Sequence, residues 1–247
     1  GGDTRELTLL FCDIRGFTPI SEQYKSDPQG LTTLINRFLT PMTDIIMANG
    51  GTIDKYMGDC IMAFWNAPLD VEDQRKMAIK SSHQMLAHLK DLNDELTKEG
   101  SLPINVGIGL NTGEVVVGNM GSDQRFDYSC LGDAVNLAAR LEGQSKEYGM
   151  EIVIGEETAK KMEDEFVMIE LDTIAVKGKT EPVKIYTSLG TVYALEYSMN
   201  YEMPRKQHNK FLNWYRTQKW VFARKWLNDL RDSFGGALTD YYDMMEK

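Results

Sequence analysis

The 247-residue sequence contains only three cysteines, and their spacing fits no zinc-binding pattern. Cys12, Cys60 and Cys130 each lie inside an apolar stretch. Disulfide frameworks need an even number of cysteines, and structural zinc sites need closely spaced groups of them. We therefore expect three reduced, packed thiols and a fold that depends on its hydrophobic core, which a chain of this length can build without disulfides.

Positive charge is also scarce. Lys and Arg number 27 against 37 Asp and Glu, which gives a formal net charge of −10. Binding along a nucleic acid or an anionic membrane surface requires a basic excess, so the composition argues against both kinds of partner. A local basic pocket for a small polyanion remains compatible with this balance.

The sequence has no secretory signal pattern and no apolar run of the ~18 residues that a membrane-spanning helix needs. The chain starts at Gly1-Gly2 and enters a strand-like run within a few residues, as an excised module would. We expect a cytoplasmic location, for the chain itself or as the cytoplasmic module of a membrane-anchored parent with an upstream sensor or membrane domain.

Hydrophobic periodicity predicts alternating strands and helices over the first 190 residues. Helical spacing of apolar residues covers residues 31–46, 71–96 and 131–148, and the first of these helices ends at Asn49-Gly50-Gly51. Strand patterns cover residues 7–12, 52–56, 60–65, 103–109 and 114–118. We expect a turn at Asn111-Thr112-Gly113 between the last two strands. The interleaving of helices with hairpins favours an α/β fold with a mixed sheet.

The composition changes after Leu195, where aromatic residues recur at helical spacing among several basic residues. We expect a domain boundary here, with residues 1–195 forming one domain and residues 196–247 a C-terminal helical extension. The pattern predicts two helices and a frayed acidic end. The extension is then either a packing appendage or a surface for a partner or regulator.

Two acidic residues occupy positions suited to metal binding. Asp13 ends the first predicted strand, and Asp59 lies at the tip of the predicted hairpin of residues 52–65. Two carboxylates at strand ends are hard oxygen ligands of the kind that Mg²⁺ takes together with water and substrate phosphates. Strand-end aspartates also serve as simple turn formers, so the spacing leaves both interpretations open.

Three further residues are candidates for phosphate and sugar binding. Asn136 and Arg140 are four residues apart on a predicted helix and therefore lie on the same face. Arg offers a planar donor fork for phosphate, and Lys177 offers a point charge beside Gly178. A polar helix stripe and a solvated lysine are the alternatives. The glycine-rich stretch 113–121 lacks the spacing of a P-loop or a dinucleotide fingerprint.

Four strings in the sequence resemble, in order, the motifs of the class III nucleotidyl cyclase catalytic domain. They are FCDIRGFT (11–18), KYMGD (55–59), GDAVNLAAR (132–140) and VKGK (176–179). The resemblance covers about three quarters of the chain, residues 7–190. It implies a ferredoxin-like βαββαβ core with a mixed, mostly antiparallel sheet, to which the C-terminal helical extension is added. It also implies a head-to-tail homodimer with active sites between the subunits.

The resemblance also implies a role for each candidate. Asp13, Asp59 and the backbone carbonyl of Ile14 match the ligands of two divalent cations, Mg²⁺ or Mn²⁺. The other five positions match residues that bind the nucleotide: Lys55 and Ser129 select the purine, Asn136 and Arg140 orient the ribose and stabilise the transition state, and Lys177 binds the terminal phosphates. In a homodimer each site would take its aspartates from one chain and these five residues from the partner.

The implied activity is that of an adenylyl cyclase, which converts ATP to 3′,5′-cyclic AMP and pyrophosphate. Lys55 fits adenine, because guanylyl cyclases of this family carry Glu at that position. Ser129 stands where many adenylyl cyclases carry Asp, where one bacterial subgroup carries Thr or Ser, and where guanylyl cyclases usually carry Cys. Cys130 is one residue out of that register, and Asp127 becomes the selecting residue if its strand is bulged. A guanylyl or dual-specificity cyclase and an inactive nucleotide-binding module remain the alternatives.

Overall fold

A computed structural model describes residues 2–198 and 200–247 as a mixed sheet covered by helices. The strands in this part of the chain are β1 Asp3–Arg15, β2 Thr52–Met57, β3 Cys60–Trp65, β4 Asn105–Ser122, β5 Arg125–Leu131, β6 Ile152–Gly155, β7 Phe166–Ile174 and β8 Val183–Thr191. Their order is β2-β3-β1-β4-β6-β8-β7, and β5 pairs with β4 outside this path. Within these residues only β4 and β6 run parallel. The predicted mixed, mostly antiparallel sheet is confirmed.

The helices of the described residues are α1 Phe17–Glu22, α2 Pro28–Ala48, α3 Gln74–Lys98, α4 Asp133–Gln144, α5 Glu156–Ala159, α6 Val192–Ser198, α7 Glu202–Arg216, α8 Trp220–Leu230 and α9 Thr239–Glu246. Compared with the sequence-based ranges, α3 starts three residues later and α4 is shorter at both ends. Helix boundaries of this kind depend on the local cap rather than on periodicity. Among the residues described, no helix combines the length and apolar content needed to cross a membrane.

Helices α2 and α3 cover one face of the sheet and form its largest core with strands β1, β3, β4 and β6. The Asp27 side chain caps α2 by accepting from the backbone N–H of Gly30 at 3.0 Å. Leu34, Phe38, Met42 and Ile46 then recur every four residues and are almost fully buried. This four-residue spacing places them on one helix face, so α2 is fixed to the sheet by its apolar stripe.

The predicted turn at residues 111–113 is wrong, because these residues continue β4. Asn111, Thr112 and Gly113 pair with β1 across an unbroken register. Their polar side chains are buried and satisfied: Asn111 donates to the Ala134 carbonyl at 3.0 Å, and the Thr112 hydroxyl is bonded to that of Thr8 at 2.9 Å. Turn-forming composition is overridden here because specific buried partners replace water.

The C-terminal helices pack against the β6-β8-β7 end of the sheet and share a buried cluster with it. The predicted frayed acidic end is wrong. It forms α9, because Tyr241, Tyr242 and Met245 are buried on one side while the acidic residues face outward. The Tyr241 hydroxyl donates to the Leu171 carbonyl of β7, which fixes α9 to the sheet.

The cysteines are free and packed, as expected. Cys12 and Cys130 are buried, and Cys60 is half-buried.

Candidate active site

Asp13 and Asp59 meet at one end of the sheet. Strand β3 runs antiparallel to β1 with Cys12 opposite Ile61, so the β2–β3 turn that carries Asp59 lies beside Asp13. Gly58 occupies this turn with φ +65°, a conformation that favours glycine. The Asp13 carboxyl lies within hydrogen-bonding reach of that of Asp59. The neighbouring Ile14 is paired with Val106 of β4, with its side chain in the core.

A third carboxylate joins this pair, and the sequence analysis missed it. Glu142 of α4 lies within hydrogen-bonding reach of Asp13. The helix comes this close because Gly109 of β4 has no side chain: a Cβ there would lie 2.4 Å from the Ala138 carbonyl oxygen and 2.3 Å from the Glu142 nitrogen. Only the contact between α4 and the sheet brings Glu142 to the site, so a linear motif search has no signal for it. We call Asp13, Asp59 and Glu142 the carboxylate cluster.

The carboxylate cluster carries negative charge that Arg15, near Glu142, offsets only in part. Burial, the hydrogen bond to Asp59, its negative charge and then Glu142 raise the pKa of Asp13 to about 7. Burial also raises the pKa of Glu142, against the opposing effect of Arg15. A site of this kind gains from a divalent cation, whose charge removes the repulsion between the carboxylates.

Ligand atoms of Asp13, Cys60 and Glu142 lie within 4.8 Å of one another, so Cys60 borders the carboxylate cluster. Burial, followed by the nearby Asp13, Glu142 and Asp59, raises the pKa of the Cys60 thiol to about 12. In the metal-free site the thiol is therefore protonated at neutral pH and carries no charge. The carboxylate oxygens remain as the charged donors, and they suit Mg²⁺ or Mn²⁺.

Lys55 and Ser129, the predicted purine-selecting pair, come together through Asp54. The Ser129 hydroxyl donates to Oδ2 of Asp54 at 2.7 Å, and the Lys55 Nζ lies 3.7 Å from Oδ1 of the same carboxylate. Ser129 belongs to β5, whose register with β4 is regular from Arg125 to Leu131. The bulge that would make Asp127 the selecting residue is therefore absent from this strand.

The remaining predicted residues are exposed. Asn136 and Arg140 lie on α4, and Lys177 lies in the loop between β7 and β8. The Arg140 guanidinium donates to the carbonyl of Ala175 at 2.8 Å. Arg140 is therefore bonded to the chain two residues before Lys177. Arg140 and Lys177 thus form one basic region on the surface.

The two faces of α4 separate this basic region from the carboxylate cluster of the same chain. Glu142 is directed at Asp13, whereas Arg140, two residues earlier, is exposed and bonded to the β7–β8 loop. Residues two apart on a helix do not face each other. A surface cavity of about 860 Å³ elsewhere on the chain is lined by none of the eight predicted site residues. The carboxylate cluster and the basic region are therefore two separate surfaces of one chain.

Large apolar side chains are exposed on β2, β4 and β5. Tyr56 and Met57 of β2 are each 46% exposed, and Phe126 and Leu131 of β5 are 60% and 63% exposed. Leu131 pairs with Val116 of β4, which is 46% exposed as well. Exposed apolar side chains such as these can serve a protein–protein contact.

Residues 2–190 match the model of the adenylate and guanylate cyclase catalytic domain. An adenylate cyclase from Anabaena cylindrica is 38% identical over 190 residues, which are 74% of this chain and 36% of that protein. Adenylate cyclase 1 from Rhizobium meliloti is 30% identical over 191 residues, 77% of this chain and 28% of that protein. The chain thus spans about a third of the length of these relatives.

Solved structures of two cyclases resemble the chain to a similar degree. The adenylyl cyclase CyaB from P. aeruginosa matches with a TM-score of 0.70 and 36% identity, covering 79% of this chain and 99% of that one. The guanylyl cyclase Cya2 matches with a TM-score of 0.69 and 37% identity, covering 77% and 95%. Overall similarity therefore does not distinguish ATP from GTP as the substrate. The distinction depends on the residues predicted to select the purine.

Proposed function

This chain belongs to the adenylate and guanylate cyclase catalytic domain family, and we propose that it is an adenylyl cyclase, a lyase that converts ATP to 3′,5′-cyclic AMP and pyrophosphate. The convergence of Asp13 and Asp59 in the carboxylate cluster is the observation that carries the proposal. These acids are 46 residues apart in the sequence, and their mutual repulsion stays unrelieved until a cation binds.

The residues of the cluster fit two divalent cations. Asp13, Asp59 and the carbonyl oxygen of Ile14 would hold them, and Glu142 adds negative charge beside Asp13. When bound, such cations would lower the pKa of the ribose 3′-hydroxyl and offset negative charge on the phosphates during the displacement. The protein contributes the rigid position of the ligands at a strand end and a hairpin turn, where neither can move away.

The reaction itself is an in-line substitution at the α-phosphorus. A bond forms between the ribose 3′-oxygen and the α-phosphorus, and the bond from that phosphorus to the bridging oxygen of pyrophosphate breaks. The 3′-hydroxyl proton passes to water or to the substrate. Arg140 neutralises charge that develops on the α-phosphoryl oxygens, Lys177 binds the terminal phosphates, and Asn136 orients the ribose.

We further propose that the active unit is a homodimer with two equivalent sites. The carboxylate cluster and Arg140 lie on opposite faces of α4, so a nucleotide reaches both only if a second copy supplies one of them. The exposed apolar side chains of β2, β4 and β5 are suited to that contact. In each site one chain supplies Asp13 and Asp59, and its partner supplies Lys55, Ser129, Asn136, Arg140 and Lys177.

Lys55 favours adenine over guanine. Its ammonium group donates hydrogen bonds, and N1 of adenine accepts one, whereas N1 of guanine carries a hydrogen and is itself a donor. The similarity to a guanylyl cyclase structure keeps GTP as the second candidate substrate. Assays of ATP and GTP in parallel distinguish the two, and Lys55→Glu should move the preference toward GTP.

Complementation between two inactive variants tests the shared site. Asp13→Asn and Arg140→Ala should each be inactive as homodimers. Mixed in equal amounts, half of the dimers are heterodimers with one intact site of two, so activity should return to about a quarter of the wild-type value. Product analysis with ATP and GTP under Mg²⁺ and Mn²⁺ gives the substrate. No recovery in a mixture that exchanges subunits, or full activity of an isolated monomer, would contradict the shared site.

A further inference from the structure

Asp54 is a buried carboxylate directly before Lys55 that the predicted mechanism does not use. Its side chain is fully buried, although Lys55 is half exposed. The pairing of β2 with β3 shifts register between Ile53 and Lys55, so a bulge places Asp54 outside the regular ladder. Bulges interrupt the alternation of side chains and redirect them. The Asp54 side chain consequently reaches β5 and accepts the hydrogen bond of Ser129.

The contact with Asp54 fixes the polarity of the Ser129 hydroxyl. A serine hydroxyl has one hydrogen and two lone pairs, and a carboxylate only accepts. At an oxygen–oxygen distance of 2.7 Å, the hydrogen of Ser129 is committed to Oδ2 of Asp54. Only lone pairs of Ser129 then remain for a ligand, so the hydroxyl acts as a hydrogen-bond acceptor toward the base.

The surroundings of Asp54 leave this arrangement without a competitor. The Cys130 sulfur lies 3.9 Å from Oδ2, and burial followed by the charge of Asp54 raises the pKa of this thiol to about 12. Cys130 therefore stays a neutral, weak donor and does not draw the serine hydrogen away. Oδ1 of Asp54 is buried and has no hydrogen-bond partner among the described residues, and Lys55 Nζ at 3.7 Å supplies the nearest positive charge.

Adenine and guanine differ at the position that such an acceptor would contact. Adenine carries an amino group at C6, which donates, and guanine carries O6, which accepts. An acceptor facing C6 pairs with adenine and repels guanine, whereas a freely rotating hydroxyl serves both. We propose that Asp54 determines purine specificity in this enzyme as a positioning residue, by holding the Ser129 hydroxyl as an acceptor for the 6-amino group of ATP.

This inference rests on the proposed cyclase function and refines it. It explains how a serine takes the place of the carboxylate that many adenylyl cyclases carry at this position. The negative charge is retained on Asp54, which lies behind Ser129 and accepts its hydrogen bond. Asp54 does not touch the base itself, so its effect must pass through Ser129. That requirement separates a positioning role from a general contribution to stability.

The test compares nucleotides that differ only at C6 of the purine, in the full chain with Mg²⁺. Wild-type kcat/KM should be higher for ATP than for purine riboside 5′-triphosphate, which lacks the amino group, by about tenfold, the typical value of one hydrogen bond. Asp54→Ala should raise kcat/KM for GTP relative to ATP by up to about tenfold, because the released hydroxyl serves either base while Lys55 still disfavours guanine. The preference for ATP over purine riboside 5′-triphosphate should weaken without reaching one, because the released hydroxyl can still accept from the amino group. Asp54→Asn, which keeps one acceptor oxygen, should lie between.

Ser129→Ala supplies the double-mutant cycle. Adding Asp54→Ala to Ser129→Ala should leave the ratio where Ser129→Ala alone has put it, because the pair acts as one unit. Asp127→Asn is the matched control: this carboxylate is on the same strand, exposed and paired with Arg125 at 3.9 Å, so the ratio should stay at the wild-type value. Where a variant turns over too slowly, the relative affinities for 3′-deoxy-ATP and 3′-deoxy-GTP measure its preference for adenine over guanine.

The outcomes are distinct. An unchanged ATP preference in Asp54→Ala and Asp54→Asn, with wild-type cyclase activity present, would overturn the role of Asp54. If Asp54→Ala changed the nucleotide preference equally in the wild-type and the Ser129→Ala background, Asp54 would have a structural role instead. A loss of preference in Asp127→Asn alone would transfer the selection to that residue. A wild-type protein that turns over no purine triphosphate would overturn the proposed function itself.

Discussion

Asp13 of the carboxylate cluster and His208 of the C-terminal helices are two ionisable groups whose pKa values burial shifts, but their surroundings differ. His208 of α7 is 1% exposed, and burial lowers its pKa to about 4. Its Nε2 donates to the Glu170 carbonyl at 2.5 Å, so Nδ1 accepts from the Tyr242 hydroxyl at 2.7 Å. Asp13 is shifted by burial as well, but toward a higher pKa of about 7, and its closest ionisable neighbours are other acids.

The difference is between a core residue whose hydrogen bonds are all satisfied and a site whose charge is unbalanced without a ligand. The neutral imidazole of His208 has both nitrogens bonded, within a shell of Phe211, Phe234, Tyr241 and Tyr242. Nothing there gains from a further partner. Asp13, by contrast, gains from any cation that offsets the charge of Asp59 and Glu142. We therefore expect substitutions at the cluster to affect activity, and substitutions in the helical region to affect stability.

The largest expected effect comes from Asp13→Asn. Cyclase activity should fall by about 10³-fold or more, because a ligand of the cations is lost. The pKa of Asp13 is raised on folding, so the ionised form costs stability above pH 7. The metal-free variant should accordingly unfold at equal or higher urea concentration than wild type at pH 8. Enzyme assays and urea titrations measure the two quantities.

Asp3→Asn is the control for this substitution. It removes a carboxylate from the same strand at an exposed position, 72% exposed and paired with Arg5. Both activity and stability should stay near wild type. A large loss of stability in Asp13→Asn would contradict the view that the cluster is repulsive.

Phe211→Ala should produce the opposite pattern. The Phe211 ring is fully buried beside His208 and Tyr242, and its removal leaves a cavity worth about 3–5 kcal/mol of unfolding free energy. The kcat of the protein that remains folded should be unchanged. Phe222→Ala, in which a ring 53% exposed is removed from α8, should cost about 1 kcal/mol. A change in kcat with unaltered stability in Phe211→Ala would connect the helical region to catalysis. It would contradict the division between a cluster that affects activity and a helical region that affects stability.

The smallest effect concerns pH. The unfolded chain protonates His208 with an ordinary pKa near 6.5, and the folded chain does so only near 4. Unfolding therefore takes up a proton between these values, so stability falls as the pH drops from 6.5 to 4, by up to about 3 kcal/mol.

His208→Gln should flatten this part of the stability curve relative to wild type. The slope of stability against pH is compared between wild type and His208→Gln. Burial also lowers the pKa of His83 to about 4, and this residue contributes the same slope to both proteins. An unchanged slope in His208→Gln would mean that this imidazole is solvated in the folded protein.

Local patterns in the sequence were sufficient for the long helices α2 and α3 and for the position of Asp13. The four-residue spacing of Leu34, Phe38, Met42 and Ile46 encodes the buried face of α2 directly, since helix geometry alone brings such residues together. The motif strings placed Asp13 and Asp59 at a strand end and a hairpin tip, and the antiparallel pairing of β1 with β3 brings these two places together.

Local composition misled where distant partners decided the structure. Asn111 to Gly113 have the composition of a turn, but pairing with β1 on one side and bonds to α4 and α5 on the other hold them extended. The acidic end of the chain forms α9 because the β-sheet covers its aromatic side. In both segments the deciding contacts come from elsewhere in the chain.

The sequence by itself determined the long helices and most strands of the first 190 residues, the family and the residues that match its motifs, because each of these depends on short-range spacing. Only the tertiary structure decided that Glu142 stands beside Asp13 and that Asp54 is buried against Ser129. The first contact depends on how closely α4 approaches a glycine of β4, and the second on a bulge that turns a side chain toward another strand. The charge of a carboxylate is written in the sequence, but its neighbours depend on packing between segments that are far apart in the chain.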